Sequence, residues 1–215
     1  MTPDLLAQIL RVQEAVTPLF IGSMIAAYLI GCIPFAVVVS KAFGLADPRS
    51  FGSGNPGATN VLRTGNKLAA LLTLVGDAAK GAIAIGFAAL LGTPADLLGW
   101  IGLVAFLGHV FPITLGFKGG KGVSTSAGVL LALYWPLGLA TLATWLFMAF
   151  TLRYSSLSAI TAAVLAPAYA VFMGLPTPVV IPVTLMAGIL LLKHAGNLRR
   201  LLAGQESKIG SKKKA

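Results

Sequence analysis

The chain has 215 residues, of which 57% are hydrophobic and only 10% are charged, and its mean hydropathy is +0.89. Soluble domains carry about 25% charged residues, so this composition excludes a soluble globular protein and indicates an integral membrane protein. The formal net charge is +10, but the basic residues lie in short segments between apolar runs. A nucleic-acid-binding protein would present a basic face on a soluble domain. Cys32 is the only cysteine, which excludes an intrachain disulfide and a cysteine metal cluster.

Apolar segments of membrane-spanning length follow one another along the chain. A hydrocarbon core about 30 Å thick needs roughly 20 helical residues. The stretch 123–152 is interrupted by Tyr134-Trp135-Pro136, and we interpret it as a hairpin because proline breaks a helix and aromatic residues favour the interface. The predicted spans are residues 20–43, 68–92, 97–117, the two halves of 123–152, 157–173 and 179–192. Two of them, 123–134 and 179–192, are short.

Lysine and arginine positions predict the orientation. With seven spans and the N-terminus outside, fourteen of the 16 basic residues fall in inner segments, whereas six spans would place Arg153 and the basic tail outside. We therefore expect an all-α membrane protein with seven transmembrane helices, an outer N-terminus and a cytoplasmic C-terminus. It forms one domain over 1–215, with an outer segment 1–18 that lacks a cleavable signal and a basic cytoplasmic tail, 193–215.

The first polar segment, residues 53–63, follows the first predicted span. Its hydroxyl and amide side chains can hydrogen-bond a phosphate, and Arg63 can bind one in bidentate fashion. Pro56-Gly57 predicts a turn that folds the segment on itself. The same residue types are common in ordinary loops, so a loop without a binding role is the alternative. The candidate hydrogen-bonding residues are Ser53, Asn55, Thr59 and Asn60.

Three ionisable residues lie within the second and third predicted spans. Asp77 and Lys80 are three residues apart, so they can pair on one helix face and reduce the cost of burial. Ionisable residues inside a membrane are candidates for function, but a structural pair is an equally good interpretation. His109 lies late in the third span, and we expect it to be structural.

The second polar segment, residues 117–125, combines glycines with two lysines, Lys118 and Lys121. Glycines allow positive φ and close approach to an anion, and the helix predicted to begin at Val123 favours negative charge at its start. The segment differs from a P-loop because Gly122 follows Lys121 and no strand precedes it. The alternative is a basic turn that serves only orientation. The glycines proposed to contact phosphate are Gly119, Gly120 and Gly122.

The third polar segment, residues 193–208, follows the last predicted span. His194 and Asn197 are three residues apart and would share one face of a helical continuation. His194 can act as a base or a phosphate ligand, and a packing histidine is the alternative. All three polar segments fall on the predicted cytoplasmic face, and their convergence indicates a site for phosphorylated molecules.

In this order the three segments resemble the acyl-phosphate-dependent glycerol-3-phosphate acyltransferases of bacterial membranes, from about residue 20 to 208. The resemblance implies an inner-membrane enzyme that makes lysophosphatidic acid from glycerol 3-phosphate and a fatty acyl phosphate at the cytoplasmic face. It also implies that the loop around Lys121 binds phosphate. One departure is Ala195, where a basic residue is expected. The motifs are Ser53–Asn60 with Arg63, Phe117–Val123, and Lys193-His194 with Asn197 and Arg200, followed by Gly204 and Glu206. Ser53, Arg63, His194 and Asn197 would complete the active site, with Glu206 more structural.

The residues themselves fit that reaction. The His-x4-Asp pair of soluble-type acyltransferases is absent, so we expect phosphate as leaving group to replace strong base catalysis. Lys121 and Arg63 would stabilise developing charge, while His194 and Asn197 would orient the attacking hydroxyl. Asp and Glu residues are scattered, so no metal site is expected. No nucleotide fingerprint is present and no cofactor is implied. A transporter for organic phosphates is the main alternative, since Asp77 and Lys80 suit a permeation path.

Overall fold

Residues 18–210 are described by the computed structural model, and their regular structure is helical throughout, with no strand in that range. The predicted outer segment 1–18, apart from Pro18, and residues 211–215 of the tail lie outside the described residues. Short 3-10 helices cover Leu62–Thr64, Ala95–Leu97 and Ile113–Leu115. The α-helices are α1 (18–31), α2 (Phe35–Ala42), α3 (Ala58–Val61), α4 (Lys67–Leu90), α5 (Leu98–Val110), α6 (Val123–Leu133), α7 (Trp135–Leu152), α8 (Ser155–Phe172), α9 (Thr177–Lys193) and α10 (Ala195–Leu202).

Five helical stretches in the described range are long and apolar enough to cross a membrane, which confirms the prediction of an all-α membrane protein. A sixth candidate is α9 together with α10, which are bent by 56° at their junction. The helix α6 has 11 residues and is about 17 Å long, so it is shorter than the hydrocarbon core. Seven spans stay a prediction, because that count requires α6 to cross as well. The five stretches are Pro18–Ala42, Lys67–Leu90, Ala95–Leu115, Trp135–Leu152 and Ser155–Phe172.

Two proline-containing breaks shape the bundle. The predicted span 20–43 forms two helices, since the chain leaves helical geometry at 32–34 before Pro34 caps α2. The predicted break at Tyr134 is confirmed: this residue has extended geometry (φ −157°, ψ 100°), and Pro136 lies in the first turn of α7. Proline is tolerated there because the first N–H groups of a helix lack intrahelical acceptors.

Small residues bring neighbouring helices of the bundle into close contact. A methyl group at Gly31 of α1 would lie 2.1 Å from the carbonyl oxygen of Ala105, and one at Gly128 of α6 would lie 1.9 Å from that of Ala78. Phe106 of α5 is fully buried in the core. Large apolar side chains such as Phe150 of α7, which is 80% exposed, cover the outside of the bundle. An apolar exterior of this kind is suited to contact with lipid.

Candidate active site

The three polar segments lie together at one end of the helix bundle, as the sequence predicts. Arg63 Nη2 donates a hydrogen bond to Ser207 Oγ (3.0 Å) and so joins the first segment to the third. Lys121 Nζ donates to Asn197 Oδ1 and joins the second segment to the third. Contacts between residues 76 and 144 positions apart in the chain therefore assemble one site from separate segments.

The carboxylate of Glu206 fixes the orientation of Asn197. Glu206 Oε1 accepts hydrogen bonds from Asn197 Nδ2 and Ser156 Oγ, both at 2.7 Å, and Oε2 accepts one from Arg200 Nε at 2.7 Å. Burial opposes ionisation of Glu206, but these hydrogen bonds outweigh it and hold its pKa below the ordinary value. Because the amide nitrogen of Asn197 is held by the carboxylate, its Oδ1 is presented to Lys121.

Lys121 is half-buried and surrounded by other charges. Burial, followed by the positive charge of Arg200, lowers the pKa of Lys121 to about 8, with Glu206 acting in the opposite direction and Arg63 adding to the decrease. The ammonium group is therefore mostly protonated at neutral pH. Its hydrogen-bond acceptor is the neutral amide of Asn197, and among the described residues no carboxylate lies within ion-pair distance of the ammonium group.

His194 lies buried at the junction of α9 and α10. Its Nδ1 is 2.8 Å from the carbonyl oxygen of Leu190. A carbonyl oxygen can only accept, so Nδ1 carries a proton, and when the ring is neutral Nε2 is an acceptor. Asn197 is also buried, and the 56° bend means that the two residues lie on a bent continuation instead of a straight one.

In the first polar segment, Asn60 organises the loop. Its side chain is buried, with 2% exposure, and Nδ2 donates to the carbonyl oxygens of Pro48 (2.6 Å) and Phe51 (3.1 Å). Oδ1 accepts from the N–H of Ser53 and from Arg63 Nη1, both at 3.1 Å. Asn60 therefore holds Arg63 in place, and both the oxygen and the nitrogen of its side-chain amide are already hydrogen-bonded.

The remaining candidates of the first segment lie nearby. Ser53 Oγ accepts a hydrogen bond from the N–H of Asn55 (3.4 Å), and the hydroxyls of Thr59 and Ser155 are 3.2 Å apart. Gly52, which the sequence did not single out, has φ +61°, and a methyl group there would lie 2.3 Å from Asn60 Oδ1. The first segment is therefore folded closely against its own arginine and against the start of α8.

The glycines of the second segment pack against the end of α5. The N–H groups of Gly119 and Gly120 donate to the carbonyl oxygens of Val110 (3.3 Å) and His109 (3.2 Å), so these two N–H groups are already used. A methyl group at Gly122, which has φ +87°, would lie 2.0 Å from the ring of Phe106. Close packing is thus the structural reason for these glycines, and the exposed Lys118 lies just before them.

The predicted Asp77–Lys80 pair is present, with Lys80 Nζ 2.8 Å from Asp77 Oδ1. His109 joins it, since its Nδ1 is 3.4 Å from the same oxygen. This contact was not predicted from the sequence, because His109 is on α5 and the pair is on α4.

The turn between α7 and α8 is the part of the site that the sequence did not reveal. Ser156 binds Glu206, and the backbone of Arg153 accepts from the N–H of Ile209 (2.6 Å), while Arg153 Nη2 donates back to the Ile209 carbonyl (3.0 Å). The available signal was a short polar stretch, 153–156, between two apolar runs.

Within residues 18–210, no group of three or more His, Cys, Asp or Glu side chains is placed to hold a metal ion.

Fold and site together define a helical membrane protein with cationic side chains gathered at one end of its bundle. A family model described as glycerol-3-phosphate acyltransferase matches residues 21–204. A glycerol-3-phosphate acyltransferase of Dechloromonas aromatica (strain RCB) is 57% identical over 193 residues, covering 90% of this chain and 98% of that protein. One from Burkholderia lata is 60% identical over 191 residues, covering 88% and 90%.

Two solved structures have the same fold. Both are crystal structures of PlsY (YgiH), an integral membrane glycerol 3-phosphate acyltransferase. The glycerol 3-phosphate form has a TM-score of 0.84 at 37% identity and covers 89% of this chain and 96% of that one. The lysophosphatidic acid form has a TM-score of 0.82 at 36% identity and covers 89% and 95%.

The chain therefore belongs to the glycerol-3-phosphate acyltransferase family, and the resemblance inferred from its three motifs is confirmed. It is a membrane acyltransferase of phospholipid synthesis. The comparisons name acyltransferases and give no support to the alternative of an organic-phosphate transporter.

Proposed function

We propose that this acyltransferase moves a fatty acyl group from an acyl phosphate to the 1-hydroxyl of glycerol 3-phosphate. The hydroxyl oxygen bonds to the acyl carbon and the bond from that carbon to the phosphate oxygen breaks. The products are lysophosphatidic acid and inorganic phosphate, and the hydroxyl proton passes to His194 Nε2 or to the departing phosphate. Both substrates carry a phosphate, so the site must hold two anions close together.

The observation that carries this proposal is the pairing of two cations with neutral partners at one end of the bundle. Lys121 binds the amide of Asn197, and Arg63 binds the amide of Asn60 and the hydroxyl of Ser207. Among the described residues, neither cation is within ion-pair distance of a carboxylate. A phosphate can therefore replace a neutral partner without displacing an anion, and charge-assisted hydrogen bonds to it are stronger than those to neutral acceptors.

In this scheme Lys121 and Arg63 bind the phosphates and stabilise the charge that develops as the acyl carbon is attacked. Ser53, Asn55, Thr59 and Lys118 add hydrogen bonds or charge around them. The contacts of Asn60, Gly119 and Gly120 support a role in shaping the phosphate site. The helix that begins after Gly122 adds a favourable N-terminus.

His194 is proposed to orient the attacking hydroxyl, and it is the candidate proton acceptor through Nε2. Replacing it by glutamine keeps a polar side chain of similar length but removes a basic nitrogen. We expect His194→Gln to lower kcat about 100-fold while the protein stays folded. Near-wild-type turnover by His194→Gln would remove His194 as the base and leave the departing phosphate as the proton acceptor.

We further infer seven spans in a bacterial cytoplasmic membrane, with the active site on the cytoplasmic face. Hydrogen bonds bring together the segments before α4 and α6, the start of α8, and α10 with the residues after it, which supports long helices that run in opposite directions between two ends. The basic residues at the site end favour the cytoplasmic side. Labelling of single cysteines in sealed vesicles, in a Cys32→Ala background, tests this topology at Lys67 against Asp96.

The donor is tested with purified protein in detergent and EDTA. Glycerol 3-phosphate is supplied with either a fatty acyl phosphate or acyl-CoA, and lysophosphatidic acid and inorganic phosphate are measured. The proposal expects both products from the acyl phosphate only. Product from acyl-CoA alone would overturn the assignment of the donor, and loss of activity in EDTA would show a dependence on a divalent metal ion.

A further inference from the structure

The cluster of Asp77, Lys80 and His109 is buried inside the bundle, where charged groups are costly. The side chains of Asp77 and Lys80 are each 2% exposed and that of His109 is 7% exposed. Both Asp77 oxygens lack a well-aligned hydrogen bond among the described residues, although Lys80 and His109 lie close to one of them. The carboxylate thus interacts through charge at short range. Apolar residues of similar size are often at least as stabilising as a buried ion pair, so stability alone is a weak reason for this cluster.

The His109 ring lies directly against the second polar segment. A methyl group at Gly120 would be 2.2 Å from His109 Nε2, and its three nearest atoms would all belong to that ring. The carbonyl oxygen of His109 also accepts the N–H of Gly120 at 3.2 Å. The residue after Gly120 is Lys121, so a displacement of the His109 ring would be transmitted to the backbone that carries the phosphate-binding lysine.

Lys80 connects the same cluster to the break between α1 and α2. Its Nζ donates a hydrogen bond of 2.7 Å to the carbonyl oxygen of Ile33, which is next to Pro34. A small cavity lined by Asp77, Lys80 and His109 also has Pro56 of the first polar segment in its wall, with Gly119 and Gly120 of the second. The cluster therefore lies beneath both segments that hold the proposed phosphate-binding cations.

We propose that Asp77, Lys80 and His109 are positioning residues for the reaction, which hold the Gly119–Gly120 turn at the place where Lys121 can bind the phosphate of glycerol 3-phosphate. Asp77 anchors the His109 ring, the ring supports Gly120, and Lys80 ties the cluster to the α1–α2 break. This inference rests on the phosphate-binding role proposed for Lys121.

The first test separates positioning from stability. Asp77→Asn and His109→Gln preserve side-chain size, and Asp96→Asn, at an exposed carboxylate between α4 and α5, is the matched control. We expect the two cluster variants to raise KM for glycerol 3-phosphate about fivefold to tenfold while kcat changes less than about threefold. The control should match the wild type. An unchanged KM, with only a lower yield of folded protein or a lower melting temperature, would overturn the proposal.

A double-mutant cycle tests the contact itself. Gly120→Ala should raise KM for glycerol 3-phosphate because the added methyl group meets the His109 ring. In a His109→Ala background that methyl group has room, so we expect the double variant to have a KM no higher than His109→Ala alone. Multiplicative effects of the two substitutions would show that Gly120 and His109 act independently, and the proposal would fail.

Calorimetric binding of glycerol 3-phosphate, without any donor, distinguishes this proposal from the proposed function. Wild-type protein that binds glycerol 3-phosphate and turns over acyl phosphate supports the function. If Asp77→Asn and His109→Gln then bind with the wild-type Kd, the positioning role alone is wrong. If the wild-type protein binds no glycerol 3-phosphate, the phosphate-binding role of Lys121 fails and the positioning role fails with it.

Discussion

The two ends of the helix bundle are built differently. At the site end, segments far apart in the chain are joined by side-chain hydrogen bonds, such as those that Glu206 accepts from Asn197 and Ser156. At the opposite end the connections are short, as at Tyr134 between α6 and α7 or residues 173–176 between α8 and α9. One polar contact there is the pair of buried hydroxyls of Ser23 and Thr93, 3.1 Å apart. The difference teaches that one end has to hold charged groups in place, whereas the other mainly reverses the chain.

The largest effect should come from removing the central cation of the site end. Lys121→Met is expected to lower kcat/KM about 1000-fold, because a charge aimed at the transition state is lost from a half-buried site. Lys67→Met is the matched control, since Lys67 is an exposed lysine at the same end, at the start of α4. Steady-state kinetics of both variants provide the measurement. Equal losses in the two would mean that the general positive charge of this end matters more than the position of Lys121.

The next effect concerns the carboxylate that joins three elements of the site end. Glu206→Gln removes the ion pair with Arg200 and weakens the hydrogen bonds from Asn197 and Ser156. We expect a loss of about 1–3 kcal/mol in the free energy of unfolding, and a fall in activity of roughly tenfold as Asn197 loses its orientation. Thermal unfolding in detergent and kinetics check this. Wild-type stability with wild-type activity would contradict the role assigned to Glu206.

A pH series probes Lys121 at the site end in the wild-type protein, with one variant as the control. The ammonium of Lys121 loses its charge as the pH rises through its pKa of about 8, so phosphate binding should weaken above that pH. We expect KM for glycerol 3-phosphate to rise roughly tenfold between pH 7 and pH 9. In Lys121→Arg the guanidinium does not titrate in this range, so the rise should be absent. The same rise in Lys121→Arg would assign it to another group.

The smallest effect is expected at the opposite end. Thr93→Val keeps the side-chain shape but leaves Ser23 without its hydroxyl partner. Stability should fall by about 1 kcal/mol, while kcat and KM stay within about twofold of the wild type, because α4, with 24 residues, separates Thr93 from the site by about 36 Å. A marked change in KM would show that the two ends are coupled through α4.

The sequence allowed the fold to be predicted further than the site. Hydropathy located the apolar segments, and Tyr134-Trp135-Pro136 located a break, because these signals are local. The polar segments were also recognisable, since such residues are conspicuous between apolar runs. The hydrogen bonds that hold these segments in place were not recognisable from the sequence. The link between Ser156 and Glu206 joins residues 50 positions apart, and no spacing rule connects two segments in that way.

The same limit applies to the partners of the predicted phosphate ligands. Asn60 is predicted among them, and in the structure its amide is engaged with Pro48, Phe51 and Arg63. Gly119 and Gly120 are predicted to contact phosphate, and their N–H groups donate to the end of α5. A residue type in the sequence indicates that a group can form hydrogen bonds, but the partners depend on the three-dimensional neighbours.

The shortness of α6 has a consequence for how the two substrates arrive. On the proposed topology, Tyr134 and Trp135 mark one interface, and the 11 residues of α6 reach only about 17 Å into a core about 30 Å thick. Lys121, just before α6, is then recessed below the opposite water boundary. The proposed donor, an acyl phosphate anchored in the leaflet, would meet this lysine by lateral diffusion, with its chain still among the lipids. Glycerol 3-phosphate must instead descend from the water, so the two substrates approach one ammonium group from different phases.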